Sequence, residues 1–273
     1  MKRATVQEIF DKISDPMAEY TKKFSVAIYG HHEGKPIQCG TGTLFEICGS
    51  AMIITAKHVL DIKLEHDIEL LISDSDNGGE FVHLNGEYVV ENNFDIGYVI
   101  IDKNLKQKLM KNRFFSNQGM VDKTNARKLN GIYYLYGYPN VESLVDTERQ
   151  HVTSRAFNYI TGRFSGDSSN LEGFNQDAHF LLDGNPETSV ETATGKPATI
   201  PKLNGISGCS VWNVFSPEKK FNDWTVSDAK ICGIETSIYR NGSIIKATKW
   251  VVFYQLLFTT RPEFREALSL IIV

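Results

Sequence analysis

Between Phe24 and Thr248, short runs of β-branched and aromatic residues follow one another, each bounded by turn signals. The pattern predicts strands at Phe24–Tyr29, Thr41–Cys48, Ala51–Thr55, Glu69–Ile72, Tyr88–Val90 and Gly97–Ile101. A second set falls at Ile132–Gly137, His151–Ile160, His179–Leu182, Ser210–Phe215, Ile231–Ile238 and Ser243–Thr248. Cys48-Gly49-Ser50 reads as a hairpin turn, and Tyr239-Arg240-Asn241-Gly242 as another, since Asn-Gly supplies the positive φ that tight hairpins need. Many short strands at close spacing predict an all-β fold of sandwich or barrel type. Helical spacing is confined to the ends. Residues 5–22 carry it, with a break expected at Pro16. At the other end it returns over Trp250–Phe258 and, after Pro262, over Glu263–Leu270. The polar stretch Asn104–Arg127 lacks strand character and divides the β-rich region in two.

Composition narrows the class. The chain has 273 residues, of which 41% are apolar, enough to build a core and to exclude wholesale disorder. With 29 Lys and Arg against 33 Asp and Glu, the net charge is −4, a poor electrostatic footprint for nucleic acid. The amino terminus has no apolar run, and the longest apolar stretches fall well short of the roughly 18 residues a membrane span needs. These features predict a soluble cytoplasmic protein with no nucleic-acid or membrane partner. Its four cysteines, Cys39, Cys48, Cys209 and Cys232, are then expected as free thiols, and the absence of CxxC spacing argues against zinc.

Three local patterns carry candidate chemistry. Ile53-Ile54-Thr55-Ala56-Lys57-His58 is an apolar strand running into a histidine; Asn93-Phe94-Asp95-Ile96-Gly97-Tyr98 places an aspartate at the mouth of another. Asn204-Gly205-Ile206-Ser207-Gly208-Cys209 holds a serine between glycines. A serine hydroxyl is a weak nucleophile that needs a base, and imidazole titrates near working pH. A carboxylate accepting its other N–H fixes the useful tautomer. The glycine turn can converge backbone N–H groups on an oxyanion, with Gly205 and Ser207 as the donors. Asp61 and Asp67 compete with Asp95 for the orienting role, but neither precedes an apolar strand as directly.

The order His58, Asp95, Ser207 is that of chymotrypsin-like proteases and differs from the orders of α/β-hydrolases and subtilisins. The chain resembles the trypsin-like serine peptidases of the chymotrypsin superfamily, in their intracellular bacterial branch. Residues 40–61 (GTGTLFEICGSAMIITAKHVLD) resemble the first-barrel hairpin with its T-A-x-H, and Phe94–Ile100 resembles the aspartate-bearing strand. Tyr134–Pro139 (YLYGYP) resembles the G-(Y/W/F)-P lead into the second barrel, Gly205–Gly208 matches G-x-S-G, and Cys232-Gly233-Ile234 resembles the strand beside the substrate channel. The resemblance implies two Greek-key β-barrels with the site in the cleft between them. It divides the chain into an N-terminal helical segment (1–23), a first barrel (24–127), a second barrel (128–249) and a C-terminal helical segment (250–273). It implies a serine endopeptidase acting on proteins or peptides, with no cofactor or metal.

The departures from the family pattern also bear on the reading. Cys209 and Ser210 stand where the family has Gly and Pro, and Ile206 replaces the aspartate that in digestive members pairs with a newly cleaved terminus. Activity without N-terminal processing is the consequence. Viral relatives use cysteine in the G-x-C-G frame, which here is occupied by Ser207. By resemblance Asn204, Glu235, Thr236 and Ser237 line the substrate pocket, with Glu235 either selecting basic side chains or facing outward. The loop Thr199–Asn204 holds no acidic residue, so a Lys/Arg preference lacks support there. Lys57, if turned into the cleft, would depress the imidazole; water is the better expectation for it. His31 and His32 read as a solvated turn, and His179 as a paired structural histidine. The same fold without turnover, as a peptide- or partner-binding adaptor, is the alternative, and an esterase or acyltransferase with the same triad is another. Intracellular bacterial members often occur beside other genes in stress or antiviral modules, which leaves room for a regulatory protein partner.

Overall fold

The computed structural model describes residues 6–32, 35–75, 77–122, 131–146, 151–185, 189–190, 202–214 and 221–269. The chain starts with helix α1 (Val6–Thr21) and then runs through strands β1 (Ser25–His32), β2 (Lys35–Ile47) and β3 (Ser50–Thr55). Helix α2 (Lys57–Leu64) leads to β4 (Leu70–Ser73), β5 (Asn77–His83), β6 (Gly86–Glu91) and β7 (Ile96–Ile101). Helix α3 (Lys103–Leu109) precedes β8 (Tyr133–Gly137), β9 (Ser143–Asp146), β10 (His151–Ser154), β11 (Phe157–Thr161) and β12 (His179–Asp183). Then come β13 (Ser210–Asn213), β14 (Lys230–Tyr239), β15 (Ile244–Lys249) and helices α4 (Trp250–Thr260) and α5 (Arg265–Ser269). One antiparallel sheet has the order β6-β7-β3-β2-β1-β4-β5-β10-β9 and the other β11-β8-β13-β14-β15-β12. This is the all-β, two-barrel chymotrypsin-like fold with terminal helices.

The apolar runs are nearly continuous because both faces of several strands are buried. In β1, Val26 and Ile28 point into the core of the first barrel, whereas Ala27 and Tyr29 point out into a second core. Ile53 with Val99 and Met52 with Tyr98 repeat the division in β3 and β7, as period-2 side-chain alternation requires. The second barrel has its own core, around Leu135, Phe180, Val211 and Ile245. The terminal helices cover the outer faces. Phe45 of β2 meets Trp250 and Phe253 of α4 at ring separations of 5.2 and 5.7 Å. Tyr20 of α1 packs edge-on to Trp212 of β13 at 5.6 Å.

Four local expectations are corrected by packing. Pro16 does not break α1, because it is exposed while Ile13 and Met17, one turn apart, are buried and hold the helix face against the barrels. His151–Ile160 is two strands rather than one: β10 joins the first sheet through β5, and β11 joins the second through β8. Strands β5 and β9, poor in apolar alternation, form by pairing, β5 between β4 and β10 and β9 at the sheet edge. The polar connection after β7 begins with α3, capped by the Asp102 carboxylate accepting the Leu105 N–H at 2.7 Å. The Cys48-Gly49 hairpin is present, with φ of 49° and 81° at the two turn residues. The expected barrel junction at residue 127 and the strand end at Phe215 lie outside the described residues. Among the described residues no helix is long and apolar enough to cross a membrane.

Candidate active site

His58 stands on the first turn of α2. Strand β3 ends at Thr55, Ala56 takes an extended conformation as the helix cap, and Val59 and Leu60 are buried beneath. The imidazole is thereby left at the surface, with half of the side chain accessible (50%). Asp95 precedes β7 in the left-handed region, at φ 51°, a conformation that aspartate tolerates better than most residues. The turn swings its carboxylate under α2. Oδ2 lies 2.9 Å from His58 Nδ1, and Oδ1 accepts the His58 backbone N–H at 3.0 Å. One carboxylate thus fixes both the helix start and the ring. With Nδ1–H donating to Asp95, the Nε2 lone pair of the neutral ring is free to accept a proton. Burial of the ring opposes its charging. The hydrogen bond and charge of Asp95, with a smaller contribution from Asp61, more than offset this and hold His58 above its ordinary value.

The competing carboxylates are committed elsewhere. Asp61 pairs with Lys57 at 2.5 Å, and Asp67 with Lys63 at 2.5 Å. Lys57, also 3.7 Å from Glu65, is turned along the helix rather than into the cleft, so it does not depress His58. The second barrel supports the aspartate: Thr248 Oγ1 donates to the Phe94 carbonyl at 2.7 Å. His179 packs edge-on to Phe94 at 5.8 Å. Its Nδ1 accepts the Asn175 N–H at 3.0 Å, and burial, with Lys246 nearby, pushes it down to about 4. His179 is therefore a neutral structural ring behind the site.

The Ser207 turn is built on two left-handed glycines, Gly205 (φ +98°) and Gly208 (φ +96°). A Cβ at Gly208 would lie 2.0 Å from the Thr41 carbonyl oxygen, and one at Gly205 2.2 Å from Gln38 Oε1, so neither position admits a side chain. Both barrels hold the turn. The Thr41 N–H donates to the Ser207 carbonyl at 2.8 Å, and the Gly208 N–H to the Glu235 carbonyl at 2.8 Å. Ile206 is buried in the second-barrel core, where an apolar side chain fits and a charged one would not.

The direction of the turn amides follows from peptide planarity, because in a trans peptide C=O and N–H point opposite ways. The Asn204 carbonyl accepts the Asn140 N–H at 2.8 Å, and the Ile206 carbonyl accepts the Cys209 N–H at 2.9 Å. The Gly205 and Ser207 N–H groups are consequently turned away from those anchors, and among the described residues neither has a hydrogen-bond partner. Between them, the Gly205 carbonyl is held by Gln38 Nε2 at 2.9 Å and Thr41 Oγ1 at 3.0 Å.

Ser207, Gly205 and His58 line one cleft of about 460 Å³, together with Gln38, Asn140, Leu203, Asn204, Thr236, Ser237 and Ile238. No hydrogen bond joins His58 to Ser207 among the described residues; such contacts commonly tighten only with substrate bound. Asn204, Thr236 and Ser237 line the cleft. Glu235 does not: it is fully buried and forms no part of the cleft wall. The register of β14 against β15 shifts between Glu235 and Ser237, so Thr236 is the extra residue of a bulge and the strand turns here. Cys209 is also fully buried, and burial pushes its thiol well above the ordinary range, so it is no thiolate nucleophile. Gln38 and Asn140 escaped the sequence reading. Neither has a local motif, and their partners lie 167 and 64 positions away in the chain.

Two solved structures with this architecture are serine proteases. A thermostable serine protease from an extremophilic microorganism superposes with a TM-score of 0.51 at 11% identity, covering 89% of this chain and 98% of that one. An HtrA-type protease solved with a tripeptide also gives 0.51, at 9% identity, covering 90% of this chain and 64% of that one. The fold of this chain is thus that of the chymotrypsin-like serine proteases. No family model matches the chain, and no curated protein matches it in sequence.

Proposed function

We propose that this protein is a serine endopeptidase of the intracellular bacterial trypsin-like type, built from barrels at 24–127 and 128–249 acting as one catalytic unit. The observation that carries the reading is the Asp95–His58 pair, joined at 2.9 Å, opening onto the cleft that Ser207 also lines. Ser207 Oγ attacks the scissile carbonyl while His58 Nε2 takes its proton, and Asp95 stabilises the imidazolium. The Gly205 and Ser207 amides receive the oxyanion. His58 then gives the proton to the leaving amine, and water hydrolyses the acyl-enzyme by the same steps reversed. The described cleft wall carries no charged side chain besides His58, which favours a neutral side chain beside the scissile bond. The substrate is a protein or peptide, the setting cytoplasmic, and a regulatory protein partner would act by ordering the Gly205 turn.

A fluorophosphonate probe tests the reading. It should label Ser207, and Ser207→Ala should abolish labelling. An adduct on Cys209, or none on the folded protein, overturns the serine mechanism. Binding of peptides without turnover would instead identify an adaptor, and turnover of esters alone an esterase.

A further inference from the structure

Glu235 lies in β14 directly behind the nucleophile. Its carbonyl accepts the Gly208 N–H at 2.8 Å, and its N–H donates to the Cys209 carbonyl at 2.9 Å, so its backbone is fixed to the residues that follow Ser207. The side chain is 0% exposed, and neither carboxyl oxygen completes a hydrogen bond, although the Ser207 hydroxyl acts on the carboxyl. A buried carboxylate without partners costs several kcal/mol, so a fold retains one only in a particular protonation state or for a particular use. The charged and titratable groups that act on it are His58 from α2, Asp95 from the turn before β7, Ser207 and Cys209 from the nucleophile turn, and Lys246 from β15. Two acids therefore share this catalytic centre. Asp95 orients the imidazole, and Glu235 has no part in the steps described above.

We propose that Glu235 is a positioning residue of the catalytic centre, present there as the neutral acid, and that its ionisation sets the alkaline limit of turnover. The inference rests on the serine-peptidase reading and names a regulator of that site. Burial drives the carboxyl up to about 8; Asp95 pushes the same way, while His58, Lys246 and the Ser207 hydroxyl oppose. A neutral carboxylic acid can donate a hydrogen bond, whereas a carboxylate can only accept. As the acid, Glu235 can donate toward Ser207 Oγ and leave the hydroxyl hydrogen for His58. As the anion it draws that hydrogen away from His58. It also sets a buried negative charge behind the point where the oxyanion must form between the Gly205 and Ser207 amides.

The experiment follows the rate of fluorophosphonate labelling of Ser207 from about pH 6 to about pH 10 in the wild type and in Glu235→Gln. In the wild type the rate should fall about tenfold for each pH unit above about 8. Glu235→Gln should lose that limb, so that the ratio of its rate at about pH 9.5 to that at about pH 7.5 exceeds the wild-type ratio by about tenfold or more. Labelling with an unchanged alkaline limb in Glu235→Gln overturns the role of Glu235 and leaves the peptidase reading standing. No labelling at any pH overturns the peptidase reading, and the proposal falls with it. If Glu235→Gln does not fold, the wild type decides alone by isotope-edited infrared difference spectroscopy of labelled glutamate. A protonated-carboxyl C=O band should be present near neutrality and vanish in step with the alkaline loss of labelling. Its absence near neutrality overturns the proposal.

Discussion

The backbone N–H of Asn140 donates to the carbonyl of Asn204 at 2.8 Å, and this bond turns the next amide, that of Gly205, away toward the cleft. Asn140 follows Pro139 at the start of a 3-10 turn, and Pro139 has φ −67° and ψ 141°, a conformation that tolerates a proline after it. Asn140→Pro should therefore remove the donor and, because its ring carbon stands where the N–H meets the Asn204 carbonyl, displace that carbonyl as well. Turnover should fall by about 10²-fold, the scale of a lost oxyanion donor, while Asn140→Ala, which keeps the N–H, should stay near wild type. Equal loss in both variants would show that the side chain, not the amide, matters.

Asp95→Asn should keep the fold and lower turnover on the order of 10⁴-fold, because an amide NH2 donating to Nδ1 puts the ring proton on Nε2, the wrong tautomer. Asp61→Asn and Asp67→Asn, which break surface pairs with Lys57 and Lys63, should be mild. Steady-state kinetics on the three variants, with melting curves to check folding, decides the orienting residue.

Thiol chemistry should single out Cys48. It is exposed on the β2–β3 turn, whereas Cys209 and Cys232 are fully buried with their thiols pushed well up, and burial pushes Cys39 up to about 12. Mass mapping after mild alkylation of the native protein should find the label on Cys48. Rapid modification of Cys209 would contradict the packing behind Ser207.

Stability should decline on the alkaline side. Glu235 keeps its proton in the fold up to about 8, whereas an unfolded glutamate loses it near 4.3. Its stabilising contribution is therefore complete below about 4.3 and is lost as pH rises through about 8. His58, also raised, works in the same direction above about 6.5. His179, held down to about 4, contributes stability that is present above about 6.5 and lost as pH falls toward 4. Glu235 and His179 oppose each other between about 4.3 and 6.5, so the net fall lies between about 6.5 and 8. Glu235, uncompensated there, contributes about 1.4 kcal/mol per pH unit. A Tm scan should show this decline, and Glu235→Gln should flatten it.

The terminal helix α1 should be part of the folding unit. Met17→Ala removes a side chain that is 0% exposed in the core shared by α1 and the outer faces of the sheets. Its cost should be about 2–5 kcal/mol in denaturant unfolding. A loss below about 1 kcal/mol would mean that the helix packs only loosely.

Strand identity and the three catalytic candidates were legible in the sequence because each depends on local pattern. Apolar runs such as Ile53–Thr55 and Gly97–Ile101 announce strands, and the glycines flanking Ser207 announce a left-handed turn. Strands β5 and β9 were not legible, because they form by pairing with their neighbours, β5 between β4 and β10 and β9 at the sheet edge, and not through their own apolar pattern. Nor was the passage of α1 through Pro16, which depends on Ile13 and Met17 finding a core made by residues far along the chain. The site divides the same way. Sequence order proposed His58, Asp95 and Ser207, but only the tertiary structure turned Asp61 and Asp67 away from the imidazole. Only the fold brought Gln38 and Asn140 to the Gly205 turn. It also enclosed Glu235 behind Ser207 rather than on the cleft wall. Backbone preference acts over a few residues and can be read from them, whereas burial and hydrogen-bond partnership depend on which distant elements meet.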